Sequence, residues 1–242
     1  MSERPILFSG PMVRAILDGS KTQTRRTAKS VPPQPDAACH ERHTQKQWAP
    51  YLDAYCSEQP SPENPRGMGQ EWCWWQVDDR QCLPTFKARF VPGDRLWVRE
   101  TWHPYGDDGR ESLALATSIC TGPEHVLFRA TATEAEDAIH RWRPAIHMPR
   151  WASRITLAVT DVRVQRLQDI SEDDAKAEGV ERLKSGRGYY SVEHGKAAVH
   201  FGVYHDYAKE AFAELWNSIN GATSWEANPW VWAISFRVEA GS

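Results

Sequence analysis

The alternation of apolar and polar residues over residues 154–164 is the feature that most constrains the fold of this chain. Ile155, Leu157 and Val159 fall on one face, which predicts a half-buried β-strand, and a break near Asp161 predicts a β-bulge. Further strands are predicted at residues 5–8, 95–100, 126–130 and 230–238. Because these segments lie far apart in sequence, they predict a sheet built from non-local partners.

Helical signals are fewer. Residues 11–17 carry apolar pairs at i,i+4 spacing, and Gly19 is placed to end this helix in a left-handed cap. Ser171 is a predicted N-cap of a short helix that ends at Gly179, and residues 206–219 predict an amphipathic helix. About three helices with several strands predict an α+β protein around a small barrel or curled sheet.

Residues 31–84 differ from the rest of the chain. Eight of the 16 Pro residues fall there, without clear strand or helix periodicity. We interpret residues 1–242 as a single domain with an insertion at roughly 31–85 and a second variable loop at roughly 183–205. The Cys and His residues of the insertion, such as Cys39 and His43, lack the paired spacing of zinc sites, so buried thiols and surface histidines are favoured and no metal is expected.

The composition excludes several classes of protein. With 40% hydrophobic and 25% charged residues, the chain can bury a core. No apolar stretch approaches the length of a membrane span, and no secretory leader is evident. Five Cys residues, an odd number, fit a reducing compartment, so we expect a cytoplasmic protein without a membrane partner.

Charge is unevenly distributed along the chain. The net charge is −3, but residues 1–30 carry six basic and two acidic groups, and residues 141–166 carry six Arg and one Asp. If these two segments meet, they form a positive groove able to attract a polyanion. The alternative is that both are solvated faces whose charges pair with acidic neighbours.

The chain contains 12 Trp residues, and most must be buried because of their large apolar area. Trp151, between Arg150 and Arg154, is a candidate for stacking on a base. Burial in the core or a cation–π contact is the alternative for this residue.

Several motifs resemble the ASCH family, whose domains are PUA-like β-barrels. They are Gly19-x-Lys21-Thr22-x-Thr24-x-Arg26, Pro92-Gly93-Asp94-Arg95-Leu96-Trp97-Val98-Arg99-Glu100, and Leu167-x-x-Ile170-x-x-x-x-Ala175-x-x-Glu178-Gly179. The stretches ILxGxKTQTRR, GDRLWVRETW, IHMPRWASRITL and NPWVW are similar to long prophage-associated ASCH-like proteins, sometimes labelled morphogenesis proteins. The resemblance implies an α+β, PUA-like small β-barrel with flanking helices and a long Pro/Trp-rich insertion.

The resemblance also implies an activity. Small ASCH members include an amidohydrolase that removes the acetyl group of N4-acetylcytidine with a Lys, a Thr and a Glu. These match Lys21, Thr24 and Glu178, although three other acids compete for the last role within the same short helix: Glu172, Asp173 and Asp174. No cofactor is implied.

The chemistry of these residue types is consistent with amide hydrolysis. Thr24 would supply a hydroxyl or orient a water, and Lys21 would activate it if burial lowered its pKa. Glu178 would deliver a proton to the leaving amine, and Arg26 would stabilise developing charge. In an ideal strand Lys21 and Thr24 point to opposite faces, so their convergence requires a turn or a bulge.

The same motifs allow other functions. A non-catalytic binder of RNA or DNA, with RNA favoured, is one alternative, because PUA-like barrels commonly bind RNA or modified bases. A phage morphogenesis protein that binds a protein partner through the 31–85 insertion is another. The residues expected to contact substrate or nucleic acid are Thr22, Arg25, Arg26, Arg99, Arg150, Trp151 and Arg154.

Overall fold

The protein has a mixed α+β fold. A computed structural model describes residues 3–29, 31, 51–54, 59–75, 85–104, 123–193 and 204–239. The α-helices in these ranges are α1 (Gly10–Leu17), α2 (Glu134–Ile139), α3 (Glu172–Ala177) and α4 (Ala208–Asn220). The strands are β1 (Glu3–Leu7), β2 (Gln23–Thr27), β3 (Tyr51–Ala54), β4 (Glu71–Trp75), β5 (Phe86–Lys87), β6 (Arg95–Arg99), β7 (Trp102–Pro104), β8 (Val126–Phe128), β9 (Thr156–Arg166), β10 (Val180–Arg182), β11 (Tyr189–Ser191) and β12 (Trp230–Val238).

A five-stranded sheet with the order β1-β6-β9-β12-β2 organises the molecule. Strands β1 and β6 run parallel, and the other neighbours are antiparallel. The register between β9 and β12 shifts where Ser235 faces Asp161 and Phe236 faces Val159. This shift confirms the bulge predicted near Asp161.

The sheet curves so that its two edge strands approach each other. The Arg26 guanidinium on β2 donates to the Leu7 carbonyl on β1 over 2.7 Å. The described strands do not close into a barrel, because this side-chain contact stands where a closed barrel would have backbone hydrogen bonds between β1 and β2.

Two buried clusters flank this sheet. The inner face of the curved sheet contributes Leu96, Leu157 and Ile234, each fully buried, to the larger cluster. The smaller cluster lies under α4, where Phe212 and Leu215 pack against Val231 and the residues around α3. In the short segment that joins α1 to β2, Lys21 is buried while residues 18–20 and Thr22 are exposed. None of the described helices has the length and apolar character needed to cross a membrane.

Part of the predicted insertion has regular structure that the sequence pattern did not indicate. Strands β3, β4 and β5 form an antiparallel sheet. The ring centroids of Trp72 and Trp232 lie 5.3 Å apart, and those of Trp74 and Trp230 lie 5.4 Å apart. The alternation is absent from β4 because residues 72–74 are all buried, so neither face is polar. Trp72 and Trp74 are therefore core residues.

Three helix termini lie at the predicted capping residues Ser171, Gly19 and Gly179, whereas the cap at Ser9 was not predicted. Ser9 and Ser171 accept backbone hydrogen bonds at the starts of α1 and α3. Gly19 and Gly179 adopt positive φ values of 77° and 96° where these helices end. The predicted strand over 126–130 is shorter than expected, because residues 129–131 form a turn of 3-10 helix, and α2 was not predicted.

Candidate functional site

Lys21 and Glu178 are brought together by backbone pairing. The two residues form an antiparallel bridge outside the named strands. Lys21 N donates to the Ala15 carbonyl over 2.9 Å, and Thr22 N donates to the Ala177 carbonyl over 2.9 Å. The segment before β2 is therefore held by the ends of α1 and α3, and the Thr22 carbonyl also accepts a hydrogen bond from Phe236 N on β12. For this reason Lys21 is not subject to the strand alternation that would separate it from Thr24.

Lys21 and Glu178 form a buried ion pair. Lys21 Nζ lies 3.0 Å from Glu178 Oε2 and 2.7 Å from the Glu178 carbonyl oxygen. Arg25 donates to the other carboxylate oxygen, Oε1, over 3.0 Å. The side chains of Lys21 and Arg25 are 0% exposed and that of Glu178 is 4% exposed. Both oxygens of the carboxylate are thus held by cations in a water-poor environment.

The ion pair continues into a wider network on the outer side of β2. Arg25 donates to Asp174 Oδ2 over 3.0 Å, and Arg163 donates to Asp174 Oδ1 over 3.1 Å. Gln23 donates to Asp174 Oδ1 and to the Ser235 hydroxyl over 3.2 and 3.1 Å. These hydrogen bonds fix Arg25, which in turn fixes one oxygen of Glu178.

Burial perturbs the titration of this cluster. Removal of the Lys21 ammonium from water lowers its pKa, and the attraction of Glu178 offsets this only in part. Burial alone would raise the pKa of Asp174, but the hydrogen bond and charge of Arg163, together with Arg25, lower it overall.

A cavity of about 280 Å³ lies between β2 and α4. Thr24 and Glu178 both line it, and Phe212 and Trp216 provide an aromatic wall. The remaining lining residues are Met12, Arg25, Arg26, Thr27, Leu215, Ile219 and Asn220. The Trp216 indole N–H is buried and has no hydrogen-bond partner within the described part of the chain. We refer to this space as the β2–α4 cavity.

The three predicted catalytic residues occupy different depths of this region. Thr24 and Glu178 line the β2–α4 cavity, whereas Lys21 does not and lies behind Glu178. Of the predicted binding residues, Arg25 and Arg26 line the cavity, and Thr22 is exposed next to the cluster. Lys21 is therefore separated from the cavity by the Glu178 carboxylate that it contacts.

The other predicted binding residues are engaged elsewhere. Arg150 pairs with Glu3 at 3.2 Å, and Arg154 pairs with Glu100 at 2.9 Å. Arg99 lies over the Trp97 ring at 4.6 Å and donates to the Ile146 carbonyl. Trp151 packs edge-on against Trp102, with 6.1 Å between ring centroids. None of these four predicted residues lines the β2–α4 cavity.

These pairs also bear on the predicted positive groove between residues 1–30 and 141–166. Arg150, Arg154 and Arg163 each form a salt bridge with an acid, as the alternative interpretation of solvated, paired charges expects. Acidic side chains thus neutralise these three Arg residues of the 141–166 segment. The sequence pattern counted charges but not their partners.

No group of three or more His, Cys, Asp or Glu side chains that could hold a metal ion occurs among the described residues. Cys73 on β4 is buried. The spacing of Cys39 and His43, considered above, lies outside the described residues.

Sequence reasoning missed two parts of the site. Asp174 was considered only as a competitor of Glu178, although it anchors Arg25, and its position in the first turn of α3 was the available signal. Phe212 and Trp216 were assigned only to an amphipathic helix. Their i,i+4 spacing marks the face of α4 that lies toward β2, but nothing in the sequence indicates a cavity there.

The arrangement combines an aromatic wall with a carboxylate, a hydroxyl and guanidinium groups at one end of a small cavity. Such a site suits a planar, polar ring whose edge meets Thr24 and Glu178. Searches of family models, curated proteins and solved structures find no match to this chain.

Proposed function

We propose that the β2–α4 cavity binds a modified nucleoside and hydrolyses the acyl amide of an N4-acylated cytidine. One observation carries the proposal: Glu178, fixed by Lys21 and Arg25, shares one small cavity with Thr24. These residues match the Lys, Thr and Glu that the resemblance to ASCH amidohydrolases implies. The pairing joins residues 157 positions apart, so chain proximity does not account for it.

The walls of the cavity support a nucleobase as the ligand. Phe212 and Trp216 offer aromatic surface, and stacking on such surface contributes about 1–3 kcal/mol per base. The buried indole N–H of Trp216 gains a partner if a ring carbonyl binds beside it. Arg26 and Thr24 lie in the same lining and offer hydrogen bonds to the edge of the ring.

In the proposed hydrolysis, a water molecule attacks the acyl carbonyl carbon. Glu178 accepts a proton from that water and delivers a proton to the N4 nitrogen as the C–N bond breaks, which yields cytidine and the carboxylic acid. Thr24 orients the water, and Arg26 stabilises the negative charge on the carbonyl oxygen. Lys21 acts through Glu178, because its ammonium lies behind the carboxylate and does not line the cavity.

The proposal includes the PUA-like architecture of the ASCH family. The curvature of the five-stranded sheet, with Arg26 on one edge strand contacting Leu7 on the other, supports a barrel-like arrangement. The motif residues of the α1–β2 segment and of α3 meet in space, as expected of one family site.

Binding without hydrolysis is the second candidate function. One observation favours it: both Glu178 oxygens already accept hydrogen bonds from cations, and the Lys21 ammonium is sealed from solvent. In this case the same cavity recognises a modified base in a nucleic acid, with RNA favoured over DNA, and leaves it intact.

Incubation of the purified chain with N4-acetylcytidine, followed by chromatographic detection of cytidine, tests the hydrolysis. We expect turnover by the wild type and a loss of about 10²–10⁴-fold in kcat for Glu178→Gln. Thr24→Val should also lose turnover, because it removes the hydroxyl that orients the water.

Glu100→Gln is the matched control. Glu100 is also a buried Glu paired with an Arg, but it does not line the β2–α4 cavity, so this variant should retain turnover. Equal loss of turnover in Glu100→Gln and Glu178→Gln contradicts a role specific to Glu178. No turnover by the wild type, together with saturable binding of N4-acetylcytidine, selects the binding function instead.

A further inference from the structure

A second concave surface, which we call the basic groove, lies beside the β2–α4 cavity. It has a volume of about 530 Å³. Its lining includes four cationic side chains and no acidic one: Arg26, Lys29, Lys87 and Arg89. Pro5, Ile6, Leu7 and Thr27 line the rest of the groove with the aromatic rings of Phe90 and Trp232.

The cations of the basic groove are not neutralised by the described part of the chain. Arg26 donates to the Leu7 carbonyl, and its guanidinium lies 5.4 Å from the Phe8 ring centroid. Arg89 lies 5.3 Å from the Phe90 ring centroid. None of the four makes an ion pair with a described residue, in contrast to Arg150, Arg154 and Arg163.

Arg26 has a cationic neighbour inside the basic groove. Burial lowers the pKa of Arg26, the charge of Glu178 opposes this effect, and the charge of Arg89 adds a smaller lowering effect. Glu71 stands opposite Lys87 in the β4–β5 register but does not line the groove. An anion bound between these side chains would relieve the repulsion and gain charge-assisted hydrogen bonds.

The basic groove and the β2–α4 cavity adjoin each other at β2. Arg26 and Thr27 line both spaces. A ligand whose ring lies in the cavity can therefore place a substituent in the groove past these two residues. The groove combines residues near β2 with Lys87, Arg89 and Phe90, which follow the predicted insertion, so the juxtaposition depends on the tertiary structure.

We propose that the basic groove binds a phosphate group carried by the same ligand whose base occupies the β2–α4 cavity. The substrate class is then a nucleotide, as a phosphomonoester or within an oligonucleotide, rather than a free nucleoside. This inference rests on the proposed function for the identity of the base. The aromatic rings of Phe90 and Trp232 provide a surface for the sugar or for a neighbouring base.

The inference is tested by calorimetry on the full chain with cytidine, cytidine 5′-monophosphate and a short oligocytidylate. We expect the phosphate to tighten binding about tenfold or more, since hydrogen bonds to charged groups are stronger than neutral ones. The Lys87→Ala/Arg89→Ala double variant should remove this gain while it leaves the affinity for cytidine unchanged. Both side chains are exposed, so the fold should tolerate their removal.

The Lys184→Ala/Arg187→Ala double variant is the matched control. It removes the same charges from exposed positions between β10 and β11, outside the basic groove. This variant should keep the preference for the phosphorylated ligand. An equal loss of preference in both double variants overturns the inference, because a general charge effect then explains the binding.

The remaining outcomes separate this inference from the proposed function. Equal affinity for cytidine and its monophosphate overturns the phosphate site even where N4-acetylcytidine is hydrolysed. Phosphate-dependent binding without turnover supports the groove and refutes the hydrolysis. A salt dependence of log K steeper for the oligocytidylate than for the mononucleotide identifies phosphodiesters as the source of the phosphate. Absence of binding by all three ligands overturns the inference.

Discussion

Lys21→Met should destabilise the wild-type protein but stabilise the Glu178→Gln variant. In the wild type, Lys21→Met removes the ammonium, but Glu178 keeps the hydrogen bond from Arg25 at 3.0 Å. In Glu178→Gln, Arg25 keeps Asp174, whereas Lys21 retains the backbone carbonyl at position 178 and no carboxylate within the described part of the chain. Lys21 is then an uncompensated buried charge.

The expected magnitudes follow from these contacts. Lys21→Met alone should lower the free energy of unfolding by about 1–3 kcal/mol, which is the range for hydrogen bonds to charged groups. Glu178→Gln alone should lower it by about 3–5 kcal/mol, because one partner of a buried pair is removed. In the double variant, Lys21→Met should restore at least about 2 kcal/mol, since an apolar side chain replaces the unpaired ammonium.

Urea unfolding at neutral pH, followed by the fluorescence of the 12 Trp residues, measures all four proteins of this cycle. The coupling energy between the two positions should be large, and the double variant should be more stable than Glu178→Gln. Additive effects, or destabilisation by Lys21→Met in both backgrounds, would refute the buried ion pair described here.

Four further outcomes are expected. Burial lowers the folded-state pKa of Lys21 below its unfolded value near 10.5, so the unfolded state binds more protons at a pH between these two values. The stability of the wild type relative to Lys21→Met should therefore rise with pH across that window, as measured by urea unfolding. Asp174 has a lowered folded-state pKa, so its contribution, measured against Asp174→Asn, should be present above about pH 3.8 and lost as the pH falls through the lower folded value. Gly179→Ala and Gly186→Ala should each cost about 1–2 kcal/mol in thermal unfolding, because both glycines have positive φ and an added Cβ at position 179 meets its nearest neighbour at an ordinary 3.4 Å. A much larger loss at Gly179 alone would show that space, not backbone strain, dominates there. Glu100→Gln should lower the unfolding free energy by about 1–3 kcal/mol and should leave turnover intact.

The sequence was sufficient for features that depend on neighbouring residues. The caps at Ser9 and Ser171 involve hydrogen bonds to groups three residues away, although only Ser171 was predicted as a cap. The positive φ values of Gly19 and Gly179 end helices at the predicted positions. Strand β12 has the predicted bounds, although residues 231–234 are all buried and the strand is covered on both faces. Strand β4 is also covered on both faces, and it gave no periodic signal.

The resemblance to a family indicated which residues of the α1–β2 segment and α3 to consider, but not their relative depth. Lys21 and Thr24 were expected to share an open site. The structure places Lys21 behind Glu178 and Thr24 in the cavity lining, because the bridge to Glu178 precedes the start of β2. Depth depends on what surrounds a side chain, and the cavity wall opposite β2 is supplied by α4, which is distant in sequence.

The sequence by itself determined where some helices begin or end, such as the start of α3 after Ser171 and the end of α1 at Gly19, since capping and turn conformation are local effects. Only the tertiary structure decided which charges are paired. Arg150 and Arg154 form salt bridges with Glu3 and Glu100. In contrast, Arg26 and Arg89 line a groove that has no acidic lining residue. The physical reason is that electrostatic energy depends on distance and burial in space, and the order of residues along the chain specifies neither.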